Sequence, residues 1–301
     1  MFDGIDELVL PLHNLGSALH LYRDLMDFEV THDREASPGL AQLWNLPSPV
    51  TREVLLTKPG ASGGALRLAE VPGLPPASPA GRPDREGPYA LDFYLRDAAA
   101  VEDRCTDGGA HFVSEAVRYS LPGTDIPVRE RMLVQAESGL LHAFVQYRPR
   151  GTRCVLDQDP AQDTSEVVAA VFLTHRYEEA RVFAREVLGG HEYFRGRFDG
   201  PGVEQMLELA PGEGFEGALY RGPTSANSRL EFGEAIPGGD RCADPVPRVV
   251  ARIAVDDLDR VAEALAGGEH GRMTGRYEID GVLHLGLASV YGATFDLFAR
   301  A

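Results

Sequence analysis

The chain matches itself. Residues 10–30, LPLHNLGSALHLYRDLMDFEV, align without gaps to residues 172–192, FLTHRYEEARVFAREVLGGHE, at an offset of 162. His13 falls on His175, Ala18 on Ala180, Arg23 on Arg185 and Asp24 on Glu186. Two further matches keep the same order. LRLAEVPG (66–73) pairs with LEFGEAIPG (230–238) with one inserted residue, and YLRDAAAVEDRCTDGG (94–109) pairs with IAVDDLDRVAEALAGG (253–268), bringing Asp97 within one position of Asp257. A preserved order of matches restricts the chain to a duplicated architecture in which equivalent segments form equivalent elements.

Each half divides again. Four segments open with an alternating apolar run that leads through a polar turn into a helix-period stretch: ELVLPLHNL, ALDFYLRDA, AAVFLTHRY and ARIAVDDLD. Short strand-like runs separated by glycine follow each helix, as in GVLHLGLASVYGATFDLFA. The pattern reads as an α+β chain of four βαβββ modules. Connectors rich in Pro, Gly and polar residues separate them at Leu74 to Pro88, Arg148 to Thr164 and Pro237 to Pro247. The expected division is a first domain at 1–150 (modules about 1–75 and 86–150), a linker at 151–163, and a second domain at 164–301 (modules about 164–238 and 246–301). Two domains suit a chain of 301 residues.

Composition narrows the partners. With 29 basic against 46 acidic residues the formal charge is −17, which repels a nucleic-acid backbone and an anionic membrane surface alike. No apolar run reaches the about 18 residues that a spanning helix needs. The first residues, MFDGIDELVLPLHN, are acidic where a secretory signal is basic, so the expected compartment is the cytoplasm. Cys105, Cys154 and Cys242 are far apart and read as reduced bystanders. Neither a phosphate-binding glycine loop nor a nucleophile elbow is present. A monomer or homodimer that handles a small molecule is the expectation.

The helix ends SALHLYRDLMDFEV and EEARVFAREVLGGHEY, with the closing runs AESGLLHAFVQY and SVYGATFDLFAR, resemble those of the vicinal oxygen chelate superfamily: glyoxalase I, bleomycin-resistance proteins and extradiol dioxygenases. The resemblance spans essentially the whole chain. It implies modules paired into two cup-shaped mixed β-sheets. It also implies a divalent metal held by His, Gln or Glu from first strands and Glu from a last strand. At those positions the chain has Glu7, Ala90, Ala169, Val250, Ala143 and Asp296, of which Glu7 and Asp296 alone carry a suitable oxygen. Pairing of modules one and four, as in some glyoxalases, would bring these two together. Two carboxylates make a thin site, so no metal ligands are assigned and metal-independent action is expected, with a metal-dependent lyase or dioxygenase using non-standard ligands as the less favoured alternative.

Strand alternation sends every second side chain to one face. It places Asp92, Tyr94 and Arg96 towards one cup, and Arg252 with His284, Gly286 and Ala288 towards the other. If Arg252, His284 and Asp296 meet, they are the candidate catalytic group: an anion-binding Arg beside a His oriented by a carboxylate. Glu7, Asp92, Tyr94 and Arg131 are the candidate ligand-binding residues of the first cup. A satisfied polar network or a solvated surface is the competing reading for the catalytic group, and buried salt bridging for the first-cup residues. Trp44 is expected in the core or a cup wall, and His13 and His175 at strand-to-helix turns. Three functions stay open: a lyase, isomerase or oxygenase acting on an oxygenated metabolite; a protein that sequesters a drug or metabolite; and an interaction module whose cups are filled by side chains.

Overall fold

The computed structural model describes residues 2–77, 83, 85–148, 154–222, 228–237 and 246–300. Cys242 and parts of all three connectors lie outside them. The first module runs β1 (Glu7–Leu12), a helix (Gly16–Leu19) that widens into a π-helical turn (His20–Leu25), β2 (Glu29–Glu35), a one-turn helix (Leu40–Leu43), β3 (Arg52–Thr57) and β4 (Ala65–Glu70). The second has β5 (Gly87–Leu95), a helix (Ala98–Asp107), β6 (His111–Phe112), β7 (Val117–Ser120), β8 (Pro127–Val134) and β9 (Leu141–Gln146). The third has β10 (Thr164–Leu173), a helix (Tyr177–Val182) with its own π-helical turn (Phe183–Val187), β11 (His191–Phe198), a short helix (Pro201–Met206), β12 (Gly214–Arg221) and β13 (Arg229–Ile236). The fourth has β14 (Val250–Val255), a helix (Leu258–Leu265), β15 (Gly271–Ile279), β16 (Val282–Ser289) and β17 (Thr294–Ala299).

The matched segments form matched elements. Residues 10–30 and 172–192 both carry a strand end, a helix and a π-helical turn. Asp97 and Asp257 both cap helices, accepting hydrogen bonds from Ala100 N (3.2 Å) and Arg260 N (2.9 Å).

The pairing of modules departs from chain order. One sheet has eight strands in the order β15-β16-β17-β14-β1-β4-β3-β2, so it joins modules one and four. The other has nine in the path β11-β12-β13-β10-β5-β9-β8-β6 with β7 beside β8, so it joins modules two and three. Each sheet is sewn at an antiparallel junction between two first strands, with Glu7 opposite Arg252 and Asp92 opposite Ala169. The halves 1–150 and 164–301 are therefore not sheet units. Their repeats run in the same order under either pairing, and the choice is made by which strand edges meet.

Alternation then gives every central strand two faces. Leu8, Leu10 and Leu12 of β1 join Leu91, Phe93 and Leu95 of β5, Phe172 of β10 and Phe295 of β17 in one continuous core with the helices. The opposite faces, carrying Val9, Ala69 and Val250 in one sheet and Ala90, Ala143 and Val171 in the other, are the cup floors.

Replacing Asp97 or Asp257 with Ala should each destabilise by about 1 kcal/mol. The two losses should add, because the caps sit in separate modules. Urea unfolding of the double variant with wild-type stability would show that these caps are not what holds the helices' first turns.

Candidate functional site

The cup of modules one and four is filled. The segment between β2 and β3 turns into it, laying Leu40, Leu43 and Trp44 on Val9, Ala69 and Val250. Gly286 on β16 makes this possible, since a Cβ there would lie 2.2 Å from the Leu43 carbonyl oxygen. The hydroxyl of Thr274 donates to that oxygen at 2.6 Å. Trp44 is fully buried and its Nε1 donates to Asp296 Oδ2 at 3.0 Å.

Asp296 is the hub. It accepts from Arg252 Nε at 2.8 Å and faces His284 Nδ1 at 2.7 Å. Arg252 Nη1 donates onward to Glu7 Oε2 at 2.5 Å, and Arg67 ties Glu7 to Glu53 at 2.7 and 2.9 Å. Burial pushes the Asp296 carboxyl upward, but His284, Arg252 and Trp44 outweigh it and hold the group below the usual carboxylate range. Glu7 is likewise lowered against its burial by Arg252 and Arg67. The candidate trio Arg252, His284 and Asp296 thus meets as alternation indicated. It does so as a matched ion-pair and hydrogen-bond network, with Asp296 0% and His284 2% exposed.

The cup of modules two and three is open. It encloses a cavity of about 560 Å³, large enough for a drug-sized molecule. Its walls are apolar and aromatic: Phe198 and Phe215 stack at 4.7 Å, with Met132, Val145, Phe194 and Leu219 beside them. The short helix after β11 supplies Val203 and Met206 and closes one side, approaching β7 so nearly that a Cβ on Gly202 would lie 2.8 Å from the Arg118 carbonyl oxygen.

The floor is polar. Asp92 and Tyr94 of β5, Glu130 of β8, and Arg229 and Glu231 of β13 all face the cavity, with Tyr119 and Tyr193 beside them. The guanidinium of Arg229 donates to the Val168 carbonyl at 2.9 Å and to the Tyr94 hydroxyl at 3.0 Å. Tyr119 donates its hydroxyl proton to Glu130. Glu231 Oε1 is buried and accepts no hydrogen bond. Burial and the neighbouring Glu130 push the Asp92 carboxyl up to about 8, against a smaller opposing pull from Arg229. Burial pushes Glu130 to about 7 despite Tyr119, and burial with Asp92 raises Glu231 well above the ordinary carboxylate range.

Of the four ligand-binding candidates, Asp92 and Tyr94 line this cavity, whereas Glu7 lies in the other sheet because modules one and two do not share a cup. Arg131 points to the opposite face of β8, where it donates to Glu102 and the Ser114 carbonyl and lies over Phe112. Its neighbour Glu130 takes the cavity face. The run Arg129-Glu130-Arg131 carries a charge at every position, so alternation of character could not separate the faces. Arg96 donates to carbonyls of Leu156, Asp159 and Gln162. His13 accepts from Gly73 N at 3.3 Å and His175 pairs with Glu86, both just beyond a first strand. Arg229 and Glu231 were not picked out from sequence, although a signal existed: LRL (66–68) aligns with LEF (230–232), each a charge between two core residues mid-strand.

The metal implied by the resemblance does not fit either floor. In the filled cup the Arg252 guanidinium bridges the two carboxylates that would hold it. In the open cup Ala90, Ala143 and Ala169 bring no donor atom, and among the described residues no group of three or more His, Cys, Asp or Glu could hold a metal ion.

Asp296→Asn should cost about 3–5 kcal/mol, because it leaves Arg252 buried beside too little negative charge; a loss below about 1 kcal/mol in urea unfolding would mean the network relaxes around the change. Asp92, Glu130 and Glu231 bind more protons folded than unfolded. Their contribution therefore favours folding at acid pH and is lost as pH rises from about 4 to about 8. Glu7 and Asp296 carry the opposite sign, lost only as pH falls below the usual carboxylate range. Tm should thus fall between about pH 6 and 8, and Asp92→Asn should flatten the fall; an unchanged slope would assign it elsewhere.

No protein-family model matches the sequence, and no curated protein matches it. Solved structures do. Glyoxalase I from Zea mays superposes with a TM-score of 0.69 at 11% identity, covering 98% of this chain and 92% of that one. A candidate dioxygenase from Bacillus subtilis superposes with a TM-score of 0.65 at 11% identity, covering 99% and 85%. At such identities the likeness is one of fold, and the chain has the vicinal oxygen chelate fold over nearly its whole length.

Proposed function

We propose that this protein takes up an organic small molecule in the cup of modules two and three, holding it without a resident metal. What supports the reading is the contrast between two cups of one fold. In one, Trp44 and a matched ion-pair network occupy the floor. In the other, an aromatic-walled cavity stands over a floor where the buried Glu231 Oε1 has no hydrogen-bond partner. Open space above convergent, unsatisfied polar groups is what a ligand site requires and what a stability-driven core removes. The ligand's body would rest on Phe198, Phe215 and Met132, and its polar head on Asp92, Glu231 and Arg229. Sequestration is the plainest use of such a site.

A second reading has its own support. Asp92 and Glu130 titrate near neutrality, where a carboxyl can both give and take a proton. A bound molecule with an acidic C–H or a leaving hydroxyl could then be isomerised or cleaved. Asp92→Asn that binds a substrate but no longer turns it over would identify this case.

The cup itself is tested with a neutral apolar fluorophore. Phenylnaphthylamine should brighten on binding the wild-type chain at one site per molecule. Val145→Trp, which extends a wall side chain into the cavity, should weaken that binding at least about tenfold. Equal binding by wild type and variant would move the site out of this cup.

A further inference from the structure

We propose that the open cup selects an organic cation: a flat, apolar body carrying a protonated nitrogen that seats among Asp92, Glu130 and Glu231. This rests on the cup being the ligand site, and adds the ligand's charge.

The floor sets three carboxyl groups against one guanidinium. Arg229 does not neutralise them by contact, since its donors go to the Val168 carbonyl and the Tyr94 hydroxyl. Among the described residues none of the three carboxyls forms an ion pair, and Asp92 accepts no hydrogen bond. Glu231 is 4% exposed with Oε1 unpartnered, and its place is held by Gly217, where a Cβ would lie 2.4 Å from that oxygen. A buried carboxyl without a donor is costly in a folded chain. It is relieved by a partner that brings N–H groups and positive charge.

The walls suit the same partner. Phe194, Phe198, Phe215, Tyr119 and Tyr193 line the cavity, and aromatic rings attract cations desolvated near them. The remaining charges of the lining, Arg148 and Arg221, are exposed at the mouth, with Arg221 over the Tyr193 ring at 4.7 Å. The cup therefore has a basic rim and an acidic floor, which orients a cation inward and leaves any acidic tail outside. In the filled cup the guanidinium of Arg252 bridges Glu7 and Asp296. There the chain supplies its own cation, and here a ligand would supply it.

Three tricyclic fluorophores of similar size separate charge from shape in titrations of the whole protein: proflavine, which is cationic across the neutral range, neutral anthracenemethanol, and anthracenecarboxylate. Proflavine should bind at least about tenfold more tightly than either of the others. Seating it should expel protons from the floor, so its affinity should rise about tenfold between about pH 6 and 8. Glu231→Gln and Asp92→Asn should each cut the ratio of proflavine to anthracenemethanol affinity about tenfold. Both should keep the Tm, and raise it as pH rises towards about 8, because each removes a carboxyl whose ionisation the fold opposes. Binding of the neutral or anionic compound as tightly as proflavine, or a ratio unchanged in both variants, overturns the inference. If phenylnaphthylamine still binds and Val145→Trp still blocks it, only the cation preference falls. If no compound binds, the cup reading falls too.

Discussion

Two antiparallel junctions, β1 against β14 and β5 against β10, decide what every polar residue of this chain can do. A side chain on a first strand has two faces available, core or cup, and alternation chooses between them. Which other side chains it meets in the cup depends on the neighbouring strand. Glu7 meets Arg252 and Asp92 meets Ala169 because the first strands of modules one and four, and of two and three, share edges. Had the modules paired in chain order, the buried Arg252 would have lost Glu7, and Glu7, still tied to Arg67 within its own module, would have stood near Asp92 instead of Arg252.

The two cups show how small differences divide one fold into a packed half and an open half. Gly286 lets the backbone at Leu43 descend onto the sheet and carry Trp44 to Asp296. The corresponding insertion in the third module is the Pro201–Met206 helix, which is held at the side of its cup by its approach to Arg118. Charge follows the same division. Burial alone would push Glu7 and Asp296 up, and the fixed cations around them reverse the effect. In the open cup Arg229 is turned towards carbonyl and tyrosine oxygens, so burial wins and the carboxyls rise.

Much of this was legible in the sequence, for physical reasons that also mark its limits. The four modules were visible because equivalent elements need equivalent patterns, and Asp97 and Asp257 even share a capping role. The meeting of Arg252, His284 and Asp296 was visible because strand period fixes which side chains share a face. Their burial was not, because it depends on Leu43 and Trp44 arriving from more than 200 residues away in sequence. The pairing of modules was hidden for a related reason. Strand edges are made of backbone, which every sequence offers alike. Arg131 was assigned to the wrong face because β8 carries charges on both, and hydrophobic contrast is the information that register needs.

A fold of this kind can tolerate an unpaired acidic floor only because something else holds the chain together. The filled cup and the continuous core do that here: Asp296, Arg252, Glu7 and Arg67 are mutually satisfied, and the core runs unbroken from β1 through the helices to β10 and β17. Frustration confined to one site, with consistency elsewhere, is the pattern expected where local stability has been given up for a task. A carboxyl kept buried and partnerless beside aromatic walls has no evident use to the folded chain alone. It would gain one from a molecule of opposite character. In that sense the filled cup is a guide to the open one, because there a guanidinium of the chain itself, that of Arg252, lies between two carboxylates.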